Sequence, residues 1–448
     1  MASTYSALSE SPAYIQDDKI LAELNYLDDV FHGVSRWSDA AGVPNAKAKK
    51  YLPPYPDEQP EEYLFRYKTT DYPDSFRRIC SEYVDLLFGD GITVDGGDDL
   101  TKYWDSIALG GIPGYQFLRR VCIETFKFGT FFIFVDWVGD RPRWVPIPPT
   151  SIPNWSINAN GEVEHVTILS SRMVGSQHQA LATRYERGGN WVRWSYGFDS
   201  KTSRWVFEQE DRGVLLAKGK PLLEIPLVPF HTVPSFGEFI GDRAFRFLAD
   251  KTLTLYQVTS DYRRKMRLCN TPVPVLYDPG RTDPLRISPY EVIQLRNPDS
   301  RFNWVETSTE SLVQSRAEMD GLTQAIANES SRFLSLPVPR VSAQASDLAT
   351  VPLQSNIYGY SILFTDSLTR VINIHNAYMG SDFISEIKLM PSVLEKKNKD
   401  SQYAFGLHTL YADNAITRKT LVTALTEDGF FSEDTMNYEL SLGEKLNE

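Results

Sequence analysis

Residues 238–268 contain no proline and one glycine, Gly241, and residues 307–334 contain no proline and one glycine, Gly321. Both carry apolar side chains at helical spacing. In the first these are Phe245, Leu248, Leu255, Val258, Tyr262 and Met266, and in the second Leu312, Met319, Leu322, Ile326 and Phe333. Steps of three, four and seven put such residues on one side of a helix. At about 1.5 Å per residue the first segment would span roughly 45 Å. Between the two lies a stretch that cannot be helical: 271–277 reads Thr-Pro-Val-Pro-Val-Leu-Tyr, an edge strand by its prolines. A turn-rich run at 279–289 and short strands at 291–295 and 303–305 follow. Two rods joined by a compact β insert suit a part that spans a distance and binds neighbours.

The chain has 448 residues, enough for a large core and two or three domains. Hydrophobic residues make up 42% and aromatic residues 12%, which marks a folded protein. Lys and Arg total 46 against 58 Asp and Glu, a net charge of −12. That balance argues against tight nonspecific DNA binding, which needs clustered cations. It is compatible with a conduit past which DNA slides. Cys80, Cys122 and Cys269 match no zinc or disulfide spacing and are expected as small buried residues in a reducing compartment. Residues 1–16 have neither Lys, Arg nor a long apolar run, so they do not form a secretory signal. The most apolar stretch, 128–138, is too short to span a bilayer and contains Asp136. The expectation is a soluble protein.

Helices are expected at 17–37, 61–68, 75–88 and 115–126, with a strand starting at 92–94 after Gly89-Asp-Gly91. From 130 to 235 the pattern becomes an antiparallel β region on a helical base. Strands are expected at 130–137, 161–170, 182–185, 191–196 and 204–209, with turns at 188–190 and 198–201. Residues 340–355 read as a loop between two prolines and the next helix, unusually long for a structureless link. A third long helix is expected at 356–378, with Leu363, Leu368, Val371 and Ile372 inward, then a strand at 386–394. Helices at 401–411 and 418–426 close the chain.

The chain lacks a phosphate-binding loop: Gly213 stands one residue too far from Gly219-Lys220, and Pro221 occupies the hydroxyl position. Gly359-Tyr-Ser361 lacks the second glycine of a nucleophile elbow. The six histidines share no ligand spacing, and the acidic pairs sit where capping and solvation explain them. No catalytic constellation, cofactor site or metal site is expected. Two features remain as candidates. Arg263, Arg264, Lys265 and Arg267 form either a solvated helix end that complements the dipole or a ring of positive charge in an assembly. Arg340, Ser342, Gln344, Ser346, Asp347 and Thr350 lie in the long link.

Several segments occur in a consistent order over about residues 50–435. Glu62-Tyr63 to Arg66 is followed by Tyr83-Val-Asp-Leu-Leu-Phe-Gly89 and Gly91-Ile-Thr-Val94. Next come Pro149-Thr-Ser-Ile-Pro-Asn-Trp155 with Asn160-Gly161, and Glu224-Ile-Pro-Leu-Val-Pro-Phe230. Then follow Tyr256, Ser260-Asp261-Tyr262 and Thr271-Pro272, and finally Leu410-Tyr411, Ile416-Thr-Arg-Lys-Thr-Leu421 and Leu425 to Gly429. In this the chain resembles the portal (head–tail connector) proteins of tailed bacteriophages. The resemblance implies an α+β portal-like fold with a wing at 1–237, a first stem helix at 238–272, a clip at 273–306 and a second stem helix at 307–336. It further implies a tunnel loop at 337–355, a long helix and strand returning to the wing at 356–396, and a short helical crown at 397–448.

The implied role is a noncatalytic ring, dodecameric in the virion, at the capsid vertex through which double-stranded DNA is packaged and ejected. The DNA would be touched at its backbone without sequence reading. The implied partners are sister subunits, the large terminase, the major capsid protein, the scaffold and a tail adaptor, with no membrane. Assembly would take place in the host cytoplasm. The apolar sides of the two rods are then expected to be covered by neighbouring copies through a head-to-tail interface. Two alternatives are an adaptor or baseplate part, which should lack the helix–clip–helix succession, and a soluble enzyme with a β-rich domain, which should gather polar groups in one pocket.

Overall fold

The computed structural model describes residues 18–89, 91–95, 97–174, 177–199, 204–233, 239–269, 273–277, 299–305, 310–331, 343–381 and 386–389. The fold is α+β. Its helical base contains α1 (Asp18–His32), α2 (Val34–Trp37), α3 (Ala46–Tyr51), α4 (Pro60–Thr69) and α5 (Ser75–Leu87). After strand β1 (Ile92–Asp95) come α6 (Gly97–Tyr103) and α7 (Gly114–Phe128).

Helix α5 shows why these segments fold as they do. Phe76, Ile79, Cys80, Tyr83, Val84 and Leu87 fall on one side at alternating steps of three and one, and all are buried. Helix α4 opens on Pro60, and the Glu62 carboxylate accepts the Gln59 N–H at 3.3 Å, which satisfies a donor the helix leaves open. The single helix expected over 17–37 is two helices. Gly33 has φ +55°, and a Cβ there would lie 2.5 Å from the Tyr72 ring, so only glycine lets the chain turn beside that tyrosine.

The β region has two layers. Strands β2 (Thr130–Val138) and β3 (Arg141–Ile147) form a three-stranded antiparallel sheet with β11 (Leu227–His231), in the order β11-β2-β3. Strands β4 (Asn154–Ile157), β5 (Val163–Val174), β6 (Gln177–Glu186), β7 (Asn190–Asp199) and β8 (Arg204–Val214) form a five-stranded antiparallel meander. The small β9 (Leu216–Ala217) and β10 (Lys220–Pro221) pair with each other. All of these strands follow the expected antiparallel grafting. Strand β3 was hidden by its prolines: Pro142 and Pro146 stand at the outer side of a three-stranded sheet, where a missing N–H is tolerated. Stacked rings join the layers, with Phe239 4.8 Å from Phe132 and 5.2 Å from Trp155.

Helix α8 (Arg246–Cys269) is shorter at its start than the expected 238–268. Phe239 is held in that stack, and Gly241 N–H donates to Thr130 Oγ1 at 2.9 Å, so 239–245 lies against the sheet as irregular chain. Gly129 makes this possible. Its φ is +78°, and a Cβ would meet the Asp242 carbonyl at 2.4 Å. Strands β12 (Val273–Tyr277) and β13 (Arg301–Val305) pair antiparallel, and α9 (Glu310–Ser331) follows. Helix α10 (Ala343–Met379) packs on the three-stranded sheet, and β14 (Glu386–Leu389) pairs with β1.

The link expected as a loop over 340–355 is therefore corrected: residues 343–355 belong to α10. Ala343, Gln344, Ala345, Leu348 and Ala349 are strong helix formers, and the helix continues through Pro352 although a proline removes one backbone donor. The helices expected at 401–411 and 418–426, and the strand at 291–295, lie outside the described residues.

The core centres on Phe126. Its ring is within 5.1–5.7 Å of those of Tyr360, Phe245, Tyr83 and Phe364, so α5, α7, the approach to α8 and α10 meet at one side chain. Cys80 and Cys122 are buried free thiols, as expected, and burial pushes both thiols far up from their ordinary pKa.

At the edge of this core, the Thr130 hydroxyl accepts from Gly241 and lies 3.0 Å from His231 Nδ1, an arrangement that suits a neutral ring. Burial, reinforced by the Arg370 cation, holds the His231 imidazole down to about 4. An unfolded chain would take up that proton near pH 6.5. The stabilisation is therefore complete above that pH and is lost as pH falls towards 4, up to about 3 kcal/mol. Thermal midpoints measured between pH 7 and 4 should fall less steeply for His231→Gln than for the parent. Parallel curves would remove His231 from the account.

Candidate functional site

The two rods of the sequence are real helices, and they form an arm. Helices α8 and α9 pack along each other, and the β12–β13 pair joins Val273 to Val305 and Tyr277 to Arg301 at its far end. The expected covering of their apolar sides needs correction. Phe245, Leu248, Leu255 and Tyr256 are buried within this same chain, as is Ile326 of α9, while Met319 and Leu322 pack against the same core. The root of the arm is thus a working part of the base. Of the exposed apolar side chains of the arm, Phe247 lies at its root and the other four lie towards the far end: Met266 near the end of α8, Val275 and Tyr277 (62% exposed) on β12, and Val313 (68% exposed) in the first turn of α9. Along α9 the exposed side continues through Ala317, Gly321 and Gln324, and an added Cβ at Gly321 would meet nothing within 4 Å.

Residues 51–71 form a collar around the middle and end of α8. The Arg66 guanidinium is its pin. Arg66 Nε and Nη2 each donate to the Glu58 carboxylate at 2.7 Å, and both side chains are about as buried as the core. Nη2 also donates to the Pro53 carbonyl at 2.9 Å, and Nη1 to Ser260 Oγ on α8 at 3.1 Å. Burial resists ionisation of Glu58, but the Arg66 hydrogen bonds outweigh it and hold the carboxyl below its ordinary value. Gln257 Nε2 donates to the Tyr51 carbonyl at 2.8 Å, and the Tyr55 hydroxyl donates to Asp261.

The four candidate cations do not share one open face. Arg263 donates to the Thr69 carbonyl and to the Asp71 carboxylate. Arg264 lies 3.9 Å from the centre of the Tyr55 ring, whose distance to Arg66 is 4.4 Å. Arg267 donates to Thr69 Oγ1 at 2.8 Å and sits 4.3 Å from the centre of the Phe65 ring. Lys265 donates to Ser315 Oγ at 2.9 Å and so ties α8 to α9. Three of the four hold the collar, and the fourth holds the partner helix. Of the other candidates, Gln344, Ser346, Asp347 and Thr350 fall on the first turns of α10. Arg340 and Ser342 lie outside the described residues. The collar itself was missed. Its signal in the sequence was an arginine among Tyr55, Tyr63 and Tyr67, which needs partners 8 and 194 residues away to acquire a meaning.

Among the described residues no group of three metal-ligating side chains occurs, and no helix is long and apolar enough to cross a membrane.

Residues 245–379 match the model of a family described as a domain of unknown function, DUF4055. The match begins one residue before α8 and ends with α10, so it takes in the whole arm and the helix after it. No curated protein matches the sequence. Among solved structures, the chain is similar to one from the virion of a native gene transfer agent particle, with a TM-score of 0.46 and 8% identity over 95% of this chain and 98% of that one. It is also similar to a chain from the neck of an empty particle of that kind computed with C6 symmetry (TM-score 0.42, 9% identity, 95% and 98% covered). A chain from the neck of the native particle computed with C12 symmetry gives a TM-score of 0.41 and 8% identity over 82% and 90%. Similarities at these scores carry no argument about what this chain does.

Proposed function

We propose that this chain is the subunit of a ring-shaped portal, a noncatalytic channel for double-stranded DNA at the vertex of a phage-type capsid. The observation that carries the reading is the arm: two packed helices rooted in the base by their own core, capped by a strand pair, with apolar side chains left open at the far end. Met266, Val275, Tyr277 and Val313 are four exposed apolar residues carried by one helix–strand–strand–helix element, Val275 and Tyr277 on one face of its first strand. Joined into one patch by a neighbouring copy, such residues would form a contact with another chain. A helix whose open side reads Val313, Ala317 and Gly321 admits close approach by a neighbouring backbone. The order of segments shared with portal proteins supplies the ring and its use.

In this reading residues 1–237 are the wing, α8 and α9 the stem, and the strand pair between them the clip. The chain from Arg340 and Ser342 into the first turns of α10, with Gln344, Ser346, Asp347 and Thr350, borders the channel. Residues 397–448 are the crown. Twelve copies close the ring in the virion by a heterologous interface. The DNA is met at its phosphates, and the ATPase work belongs to a separate large terminase. The major capsid protein, the scaffold and a tail adaptor are its other partners, and the ring assembles in the host cytoplasm.

Sedimentation of the purified chain tests this. The expected result is a discrete species many times heavier than the 50.9 kDa chain. A protein that stays at 50.9 kDa over the whole accessible concentration range contradicts the reading.

A further inference from the structure

The five-stranded sheet has two open edges that complement each other. Strand β4 covers β5 only over residues 163–167, and among the described residues no strand pairs with 170–174 on that side. At the opposite edge β8 is the last strand over its whole length, Arg204–Val214. Both open stretches lie at the same end of the sheet, on shared rows: Arg172 pairs with Gln179, Gln179 with Gly197, and Gly197 with Val206. Residues 170–174 and 206–210 are all exposed, and they include the apolar pairs Met173 with Val174 and Val206 with Phe207. An open edge presents a line of unpaired N–H and C=O groups, a template for another strand. A polar relay crosses the sheet between these edges. Arg172 Nε donates to Gln179 Oε1 at 2.6 Å, and Gln179 Nε2 donates to Glu208 Oε2 at 2.6 Å. Glu208 is the extra residue where β8 bulges beside Ser195 and Tyr196. Its carboxylate reaches Gln179 by lying over Gly197, where an added Cβ would collide with it. The relay begins with a cation at one edge, passes through a neutral amide and ends with an anion at the other. The edges as a whole share that contrast. Residues 206–211 of β8 carry Glu208, Glu210 and Asp211 and no basic residue, whereas 170–174 carry Arg172 and no acidic one.

We infer that β8 of one copy adds to the 170–174 edge of the next, so that the sheets of an assembly join head to tail into one belt. Strand direction permits it. The three ladders between β5 and β8 are all antiparallel, so these two strands run opposite ways. A copy set alongside in the same orientation therefore brings its β5 antiparallel to β8, and the ladder continues unbroken. With the rows level, Val206 stands opposite Arg172 of the next copy. Glu208 is then a diagonal neighbour of that guanidinium, within reach of a long side chain. Each relay hands its anion to the cation of the next one, and the exposed apolar pairs are covered together. The edges match in direction, charge and apolar content, which selects a second copy of this chain over a foreign strand. The contact is heterologous, and such contacts give rings when the rotation closes and filaments when it does not. The inference deepens the portal reading and rests on it only for that closure.

The experiment uses two variants of the full chain. Arg172→Glu makes both ends of the relay acidic, and Glu208→Arg makes both ends basic. Either variant alone sets like charges against each other across the contact. Each should raise the protein concentration needed for assembly ~2- to 30-fold, the swing from an attractive to a repulsive cross-strand pair. Mixed in equal amounts, the two should assemble at the parent's concentration, because alternating copies restore an opposite pair at every contact. Mixing does not rescue a defect confined within one chain. Backbone hydrogen exchange at residues 170–174 and 206–210 should also slow when the parent assembles. The inference is overturned by single variants that assemble as the parent does, by a mixture no better than its components, or by edge amides that exchange as fast in the assembly as in the subunit. Rings observed in that case leave the portal reading standing. Filaments or open arcs, with slowed edge amides and a rescued mixture, would keep the joined sheets and sink the portal reading. A parent that stays a single subunit contradicts both.

Discussion

Arg66→Ala lowers stability by about 3–5 kcal/mol, the loss typical when one partner of a buried ion pair is removed. The size follows from what stays behind. Glu58 keeps its carboxylate in a site where both partners are almost wholly covered, and it loses two charge-assisted hydrogen bonds at 2.7 Å. The Pro53 carbonyl and Ser260 Oγ lose their donors as well. Without the guanidinium, burial of Glu58 is opposed only by the Tyr55 N–H that its carboxylate accepts and by the Arg264 charge, so its carboxyl moves up from the lowered value. The sign of the pH dependence follows. In the parent, the pair's contribution is present above the ordinary carboxylate range and is lost as pH falls through the lowered value. In Arg66→Ala that acid-sensitive component is reduced, because its largest source is removed. Chemical denaturation at neutral pH measures the first effect, and its repetition at pH 4 the second. A loss of ~1 kcal/mol or less, or an unchanged acid dependence, would show that the collar is not pinned through this residue.

Val313→Asp abolishes assembly while leaving the subunit folded. Val313 is one of the most exposed large apolar residues among the described residues, so a charge there strains nothing within the subunit. In a helix-to-helix contact between copies the same carboxylate would be buried without a partner, a penalty of several kcal/mol at each of twelve interfaces in the proposed ring. Secondary structure by circular dichroism and the thermal midpoint should match the parent, and sedimentation should show the subunit alone. Assembly at the parent's level in Val313→Asp would move the interface away from the first turn of α9.

Much of this architecture was legible in the sequence because it is written in periodicity. The α5 stripe from Phe76 to Leu87 and the strand runs around Gly188-Gly-Asn190 needed only local spacing. What escaped was set by contacts distant in sequence. The break at Gly33 depends on Tyr72, and the late start of α8 depends on Phe239 stacking with Phe132 and Trp155. The early start of α10 shows the opposite error. Proline and small polar residues suggested a loop, yet Ala343–Ala349 has the composition of a helix. The site was half legible. The charge run at 263–267 stood out, but its meaning lay in Tyr55, Phe65, Thr69 and Asp71, which the fold brings to it. By spacing alone the apolar stripes are surface awaiting other copies. Most of that surface is covered by the chain's own base, and the uncovered remainder lies at the strand-pair end of the arm.

Negative-stain imaging of the purified protein examines the central claim with the fewest assumptions. The account predicts closed rings with a hollow axis wide enough for a duplex of about 20 Å, with the arm's far end at the narrow side of the particle. Compact single subunits, or assemblies closed without an axial hole, would contradict it.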